Sequence, residues 1–520
     1  MKRLSFVLFR IILLCLFLGS LSARRVVVIG GGLAGLVAAI EAHNRGAEVV
    51  LLEKEISIGG NSIKASSGMN AACTFAQECN NISDSKQCFA QDTIKSGQGY
   101  SNDALVDVFA GQSQDAWKFL TDLGVNLDIV SKTGGHSVAR THRAKQKKQA
   151  TPEQATPEQA APEQAWPENG RTTNVGMDII YALKQHVEDK TPTQIITCAH
   201  VVQLLVDKDV VYGVEYQHNS KNHTLLADAV ILTTGGFCGQ TCKGSLLREC
   251  RPDLAHLSTT NGCCANGDGM RLAQSIGALL IDMDKVQVHP TGFVHPHSPN
   301  ELRKFLAPES LRASGGILLN QSGRRFTNEL GKRDDVTRDI STYCAPYRSC
   351  IKESGPIVAY LVLNEKGAAL FQKKVLDYYH KRGFVQTVSN ARSLAQLIQS
   401  DEGVVVQTLQ EYASACAKGK DEFGKTTFPV SYDTNEPLYV MLITPCLHYS
   451  MGGLKFDEQA HVLGSNGKIE NLFAAGEVTG GLHGANRLCG NSLLECVVFG
   501  RIAGQNASGL AHSMHGLKKV

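Results

Sequence analysis

The hydrophobic pattern at the start of the chain predicts a strand, a helix and a second strand. An apolar, β-branched run covers Arg24–Ile29, and the glycine-rich stretch Gly30–Gly35 follows it directly. Leu36–Ala42 has the pattern of a helix, and Glu48–Glu53 is again apolar and β-branched. This order indicates a βαβ unit.

The same pattern divides the rest of the chain into two kinds of region. Ala199–Val214 is rich in strand signals, and Ala229–Thr234 is a buried strand that runs into two glycines. Residues 290–447 carry more charge and more helical pattern. Leu472–Gly476 and the loop after it are again rich in glycine, as at the start of the chain. We therefore predict an α/β fold, in which a Rossmann-like dinucleotide-binding domain is interrupted by an inserted α+β domain.

Length and composition indicate a large globular protein. Its 520 residues exceed one ordinary hydrophobic core, so two or more domains are expected. The chain is 43% hydrophobic and 19% charged, and its net charge of +3 gives no broad electrostatic case for binding nucleic acid. The cysteines show no paired zinc-ligand spacing, so no metal site is predicted.

The N-terminal residues have the pattern of a targeting segment. Lys2 and Arg3 precede the apolar run Phe6–Ser20, and small residues follow as far as Ala23. We interpret residues 1–23 as a secretory signal peptide, which predicts the secretory pathway and the lumen of the endoplasmic reticulum. A retained signal anchor and a mitochondrial location are the alternatives. Protection from protease inside intact microsomes is the measurement that checks this prediction.

A low-complexity segment interrupts the first domain. Residues 150–168 repeat the motif ATPEQ, within a polar stretch at 143–169. Proline, glutamate and glutamine bury almost no apolar surface, so we predict a disordered surface insertion.

The 16 cysteines are interpreted mainly as buried free thiols. If the protein is secreted, disulfide bonds between some of these cysteines are an alternative interpretation. Cys238 and Cys242 are spaced by one helical turn, which leaves a redox pair as a further alternative.

The glycine-rich stretch after the first strand has the spacing of a dinucleotide site. Gly30, Gly32 and Gly35 form G-x-G-x-x-G between a predicted strand and a predicted helix. These glycines permit a tight turn and the close approach of a pyrophosphate to the helix N-terminus. Glu53 ends the next strand, where a carboxylate contacts a ribose hydroxyl. Further glycine-rich segments spread along the chain favour a long cofactor.

These segments together resemble the soluble fumarate reductase flavoproteins, the single-subunit relatives of the flavin subunit of succinate dehydrogenase. The resemblance covers nearly all of residues 24–510, and it depends on GGGLAG, GGNSIKASSGMNAA, ILTTGGF, NGDGM, VQVHPT, PESLRASGGILLNQSGRRFTNELGKRD, HYSMGG and AAGEVTGGLHGANRLCGNSLLE. It implies an FAD-binding domain at 24–289 and 448–520, with a capping domain at 290–447 between its two parts.

The resemblance also implies the FAD ligands and the mode of binding. Asn61 stands where the membrane-complex flavoproteins have the histidine that bonds covalently to FAD, so non-covalent FAD is expected. Cys489 stands where the family usually has glycine. The implied FAD ligands are Gly30, Gly32, Leu33, Ala34, Gly35, Glu53, Lys54, Gly60, Asn61, Ser62, Ser66, Ser67, Gly68, Thr234, Gly235, Asp268, Glu477, Asn491, Ser492 and Leu493.

The resemblance implies reduction of fumarate to succinate, by hydride transfer from flavin N5 and protonation by an arginine. His289, His448 and Arg487 match the family's substrate ligands, and arginine pairs bidentately with a carboxylate. Arg333 matches the proton donor, and Glu309 with Arg312 matches the relay that reprotonates it.

Two other functions remain as alternatives. The first is reduction or dehydrogenation of another unsaturated carboxylic acid on the same scaffold. The second is a flavin-binding redox partner in oxidative folding, without turnover of an acid. The sequence shows no haem motif and no second flavin domain, so reduced free flavin, NADH and a partner protein all remain candidate electron donors.

Overall fold

A computed structural model of the protein describes residues 23–143, 174–348 and 354–509. The predicted signal segment, apart from its last residue, and nearly all of the predicted insertion at 143–169 lie outside these residues. Among the helices described, none is long and apolar enough to cross a membrane.

A large sheet with a parallel centre forms the base of the fold. Each of its central strands is a short apolar run, and neighbouring residues face opposite sides of the sheet. Val26 and Val28 therefore lie in one hydrophobic core, whereas Val27 and Ile29 lie in the core on the other face. In spatial order the strands are β6 (Gln194–Ile196), β2 (Glu48–Leu52), β1 (Arg25–Ile29), β10 (Ala229–Leu232), β20 (Gly467–Ala474), β8 (Val210–His218) and β7 (His200–Asp207), with β19 (His461–Gly464) beside β20 and β9 (Lys221–Leu226) beside β8.

Helices cover this sheet, and two of them approach each other closely. The first helix and the last described helix pack together because Gly500 and Gly504 have no side chain: a Cβ atom at Gly504 would lie 2.4 Å from the carbonyl oxygen of Ala38. In the described residues before position 290 and after position 447, the helices are α1 (Leu33–Asn44), α2 (Phe75–Cys79), α3 (Lys86–Gly97), α4 (Asp103–Gly111), α5 (Ser113–Asp122), α6 (Val175–Lys190), α7 (Leu246–Cys250), α8 (Asp268–Gln274) and α15 (Asn491–Ala507). Short 3-10 turns lie at Ser62–Lys64 and Pro252–Leu254.

A second, antiparallel sheet occupies the middle of the chain. Apolar side chains fill both of its faces, which is why it has helices on each side. Its strands are β12 (Val286–Phe293), β17 (Leu438–Ser450), β15 (Ser354–Asn364) and β13 (Ile317–Leu319), with β14 (Ala345–Arg348) beside β15 and β16 (Val385–Val388) beside β17. Its helices are α9 (Glu309–Ala313), α10 (Arg333–Tyr343), α11 (Glu365–Phe371), α12 (Lys373–Lys381), α13 (Ala391–Ile398) and α14 (Glu402–Lys418).

Local sequence explains where several of these helices begin. The side chains of Asn364, Asn390 and Asp401 each accept a hydrogen bond from a backbone amide in the first turn of the following helix. Such N-caps satisfy amides that have no partner within the helix.

Two three-stranded sheets are also present among the described residues. One pairs β3 (Met69–Asn70), β5 (Thr141–Arg143) and β4 (Ile129–Ser131), and the other pairs β11 (Leu280–Ile281), β18 (Gly453–Lys455) and β21 (Thr479–Gly480). The predicted domain boundaries after residues 289 and 447 fall within β12 and β17, which pair with each other. The two predicted crossings therefore lie side by side, and each of these strands carries a predicted substrate histidine.

Candidate active site

The turn between β1 and α1 requires glycine at two positions. Gly30 has a φ of +106°, and a Cβ there would lie 2.5 Å from the carbonyl oxygen of Thr233. A Cβ at Gly35 would lie 1.9 Å from the carbonyl oxygen of Gly30. Thr233 closes the same turn, because its hydroxyl donates to the Gly30 carbonyl at 2.8 Å. The protein's own packing thus explains two of the three motif glycines.

Gly32 has a different explanation, because no atom of the described residues would crowd a side chain there. Its backbone is extended, with φ −74° and ψ −170°, and the nearest atom to a Cβ would be Ser62 Oγ at 3.9 Å. Gly32 caps α1, which has neither a side-chain cap nor an acidic residue in its first turn. Open space beside an uncapped helix N-terminus fits a pyrophosphate.

The predicted ribose ligand is buried at the end of β2. Glu53 accepts hydrogen bonds from the amides of Gly31 at 2.7 Å and Glu55 at 2.9 Å. Burial raises the pKa of the Glu53 carboxyl despite these bonds. Lys54 and Asp268, both predicted FAD ligands, form a half-buried ion pair of 2.7 Å. This pair joins β2 to the start of α8.

The segment after β2 places another group of predicted FAD ligands. Ser62 Oγ accepts from the amide of Leu33 at 3.4 Å, which ties the segment to α1. Gly60 and Gly68 have φ values of +49° and +128°. The structure places Ala34 and Leu33 in the first turn of α1, where they are buried, and leaves Ser66 and Ser67 half-buried.

Asn61 is held by neighbouring polar groups. Its Nδ2 donates to Asn261 Oδ1 at 2.7 Å, and its Oδ1 accepts from the Gly262 amide at 2.9 Å and from Lys64 Nζ at 3.3 Å. An amide side chain has no imidazole nitrogen with which to attack a flavin.

FAD is therefore expected to leave the protein on denaturation. Precipitation with acid should give a yellow supernatant and a colourless pellet, because Asn61 forms no bond to the flavin. Flavin that stays in the pellet after washing would contradict this. An Asn61→His variant, treated in the same way, shows whether position 61 alone decides the linkage.

The predicted FAD ligands of the later segments also lie on loops beside the base sheet. Thr234 Oγ1 is buried without a hydrogen-bond partner among the described residues, and Gly235 beside it has a φ of +74°. Glu477 accepts from the amide of Ser450 at 3.0 Å, and burial raises the pKa of its carboxyl to about 7.

The start of α15 holds the last predicted FAD ligands. Asn491 is fully buried, and its Oδ1 accepts from Asn70 Nδ2 at 2.7 Å. Ser492 is half-buried and Leu493 is buried in the same turn. Asn70 also donates to the carbonyl of Cys489 at 2.6 Å, so it ties β3 to the loop before α15. The sequence motif GGNSIKASSGMNAA contains Asn70 but did not indicate this role.

The predicted proton donor and its relay form one buried cluster. Arg333 Nε donates to Glu309 Oε2 at 3.0 Å, and its Nη1 donates to Gln287 Oε1 at 2.8 Å. Glu309 also accepts from the amide of Gly134 at 2.9 Å. Burial raises the pKa of Glu309, but Arg333 and Arg312 outweigh burial, so that the pKa is lowered. Glu309 is thus a carboxylate that anchors Arg333.

Arg312 is the most enclosed member of this cluster. Its Nη2 lies 3.6 Å from Glu309 Oε2, and its Nη1 donates to the carbonyl of Glu329. Its Nε and Nη2 have no hydrogen-bond partner within the described parts of the chain. Burial lowers the pKa of the Arg312 guanidinium. The spacing of three residues on α9 places Arg312 and Glu309 on the same side of the helix.

The two predicted substrate histidines contact each other across the paired strands. Their ring centroids are 4.9 Å apart. Nδ1 of His289 accepts from the amide of Thr291 at 3.1 Å, so the neutral ring carries its proton on Nε2, which has no partner among the residues described. His448 Nδ1 lies 2.8 Å from the hydroxyl of Thr260. Burial, with Arg333, lowers the pKa of both rings well below the ordinary value.

Arg487 approaches the histidines from the loop before α15. Its Nη1 donates to the carbonyl of Leu488 at 3.1 Å, while its Nε is buried with no partner in the described chain. Burial and the nearby Arg333 lower the pKa of Arg487 to about 10, so the guanidinium stays charged near neutral pH. Gln287 links the two arginines, because its Nε2 donates to the Arg487 carbonyl at 2.8 Å. The motif VQVHPT contained Gln287, but its role required the structure.

The described cysteines are free thiols in this structure. Cys489 is buried beside the arginines, within hydrogen-bonding reach of Arg333. Cys238 is buried, which raises the pKa of its thiol, whereas Cys242 is exposed. A buried thiol with a raised pKa is a poor redox nucleophile. Among the described residues, no group of three or more histidine, cysteine, aspartate or glutamate side chains is arranged to hold a metal ion.

The fold and this cluster define a flavoprotein, and comparison with known proteins gives its family. The profile of the FAD binding domain family matches residues 25–493, so the chain belongs to this family. The predicted family resemblance, the α/β fold class and the FAD cofactor are thereby confirmed, and the protein is an FAD-dependent oxidoreductase.

Individual relatives narrow the comparison. The chain is 39% identical to a fumarate reductase of Schizosaccharomyces pombe over 93% of this chain and 89% of that protein. It is also 39% identical to fumarate reductase 1 of Saccharomyces cerevisiae, over 94% of this chain and 99% of that one. A solved open conformation of a flavocytochrome c3 fumarate reductase is similar with a TM-score of 0.68 and 31% identity, covering 96% of this chain and 80% of that chain.

Proposed function

We propose that the protein reduces fumarate to succinate with electrons held by FAD. The observation that carries the proposal is the convergence of donors that have no partner in the described chain. Nε2 of His289 and Nε of Arg487 are both buried in one cluster, beside the guanidinium of Arg333. Buried donors without partners are costly, and a bound dicarboxylate would satisfy them.

The residues of the cluster are suited to bind the two ends of a dicarboxylate. Arg487 with His448 suits one carboxylate, and the Nε2–H of His289 suits the other. The bound flavin supplies the hydride. Both histidines are neutral before substrate binds, so the Nε2–H of His289 acts as a hydrogen-bond donor, while the arginines supply the positive charge.

Proton delivery falls to Arg333 in this proposal. Arg333 is buried and shares the cluster with both histidines, and Glu309 fixes its orientation through the 3.0 Å bond. Burial lowers the Arg333 pKa, but Glu309 and the neighbouring Cys489 outweigh burial, so that the pKa is raised. Only a strongly basic carbon can take a proton from such a group, and the carbon next to a new C–H bond has that character. Arg333 is then left neutral, and a proton from solvent, relayed through Arg312 and Glu309, restores its charge.

The test is anaerobic reoxidation of the reduced purified protein, followed by flavin absorbance. Fumarate should reoxidise the flavin rapidly and form one succinate per FAD. Acrylate and urocanate are the comparison acids, because relatives of this chain are named NADH:acrylate oxidoreductase and urocanate reductase. Acrylate has one carboxylate and engages only part of the cluster, so it should react much more slowly. Reoxidation by none of these acids would overturn the proposal.

A further inference from the structure

A buried aromatic ring contacts the Arg487 guanidinium. The guanidinium carbon of Arg487 lies over the ring of Tyr449, 4.3 Å from its centroid. Tyr449 follows His448 in β17 and is 3% exposed. A cation over an aromatic face is attracted by the ring quadrupole, and more strongly when both are desolvated.

The hydroxyl of Tyr449 is itself anchored by a buried carboxylate. It donates to Glu495 Oε2 on α15. The same oxygen is 2.8 Å from His483 Nε2, and Glu495 Oε1 accepts from the hydroxyl of Thr479 at 3.3 Å. Glu495, His483 and Thr479 are each at most 3% exposed. Burial, with the charge of Glu495, raises the pKa of Tyr449, so the phenol keeps the proton that it donates.

This arrangement holds Arg487 without using up its hydrogen-bond donors. A carboxylate partner from the protein would compete with the carboxylate of a substrate for the same N–H groups. An aromatic ring attracts the cation and presents no such oxygen. A phenol that donates to a carboxylate also has a more electron-rich ring, because hydrogen bonds in series polarise one another.

We propose that Tyr449, anchored through Glu495 to His483, is the positioning residue for Arg487, and that it keeps the guanidinium aimed at a substrate carboxylate. This inference rests on the proposed function, since it assigns Arg487 to carboxylate binding. Tyr449, however, acts on the binding of a dicarboxylate, and this binding can be measured without turnover.

The experiment measures the Kd of malonate, a dicarboxylate that cannot be reduced, by titrating the flavin absorbance of the oxidised holoenzyme. Tyr449→Leu removes both ring and hydroxyl and should weaken malonate binding by about 30-fold, the size of a desolvated cation–π contact. Tyr449→Phe and Glu495→Gln keep the ring and lose or weaken its anchor, so they should weaken binding by only about 3-fold.

A double-mutant cycle separates positioning from general damage. In an Arg487→Met background, Tyr449→Leu should change the malonate Kd by less than about 2-fold, because its target is gone. Tyr432→Phe is the matched control: Tyr432 is another buried tyrosine, and its hydroxyl donates to the carbonyls of Gly315 and Val362 in the antiparallel sheet region. It should leave the malonate Kd unchanged.

Two outcomes overturn the inference. One is wild-type malonate affinity in Tyr449→Leu. The other is a loss of malonate affinity on Tyr449→Leu that is equally large with Arg487 present and with Arg487→Met. If Tyr449→Leu does not retain FAD, then Tyr449→Phe and Glu495→Gln, each made with and without Arg487→Met, decide between the same outcomes. A wild-type protein that binds malonate but is not reoxidised by fumarate refutes the proposed function alone, and the cycle still tests Tyr449.

Discussion

Substitution of Arg333 by alanine is expected to lower fumarate reduction by roughly 10⁴-fold, the upper range for loss of a general acid. FAD should remain bound, because the side-chain hydrogen bonds of Arg333 within the described chain go to Glu309 and Gln287, which are not predicted FAD ligands. Dicarboxylates should still bind through Arg487 and the histidines. The measurement is the rate of anaerobic flavin reoxidation at saturating fumarate.

Arg333→Lys separates proton donation from charge. Lysine keeps a positive charge and can donate a proton, so a trace of activity should survive in this variant. The matched control is Arg338→Ala, which removes an arginine from the same helix at a position where it is 65% exposed and pairs with Asp335. The control should reduce fumarate at the wild-type rate. Weakened malonate binding in Arg333→Ala, with normal reoxidation at saturation, would instead make Arg333 a carboxylate ligand.

Substitution of Glu329 by alanine is expected to destabilise the protein by about 3–5 kcal/mol. Glu329 is fully buried; its Oε2 accepts from Lys425 Nζ at 2.8 Å, and Arg325 Nε lies 2.7 Å from its Oε1. Removal of the carboxylate leaves Lys425 as a buried charge without this partner. Thermal unfolding with release of flavin fluorescence measures the stability.

A surface pair in the same region is the control, and pH gives a second check. Glu365→Ala breaks the ion pair between Glu365 and Lys373, two side chains that are each about half exposed, and should cost no more than about 1 kcal/mol of stability.

Burial raises the pKa of Glu329, but Lys425 and Arg325 outweigh burial and lower it to about 2. A lowered folded-state pKa means that the stabilisation is complete above the unfolded value of about 4.3 and is lost as pH falls through about 2. The difference in the free energy of unfolding between wild type and Glu329→Ala should shrink only in that pH window. Equal stability of the two proteins at pH 7 would refute the prediction.

The first βαβ unit shows how well local pattern predicts structure. The predicted strand at 24–29 is observed at Arg25–Ile29, and the predicted helix at 36–42 is the middle of Leu33–Asn44. The helix begins earlier than predicted because the glycine motif itself forms its first turn. Propensity disfavours glycine in a helix, but the close approach of the Gly30 carbonyl requires Gly35 at this position.

The site was predicted through motifs, and its contacts were not. Gln287 is a polar residue between two valines of β12, which was a signal, but its bonds to Arg333 and to the Arg487 carbonyl cross 46 and 200 positions of sequence. Tyr449 gave no signal, because a tyrosine in a buried strand is ordinary. Periodicity reports which face a side chain occupies, and it carries no information on what lies opposite.

The sequence by itself determined the alternating strands, the glycine turn and the motif residues, because these depend on neighbours within a few positions. It also determined that Asn61 has no nucleophilic ring. Only the tertiary structure decided that His289 and His448 face each other, since β12 and β17 pair across about 150 intervening residues. It likewise decided that Arg487 rests on Tyr449. Burial then changes the chemistry of these groups, because desolvation and close charges arise only when distant segments pack together.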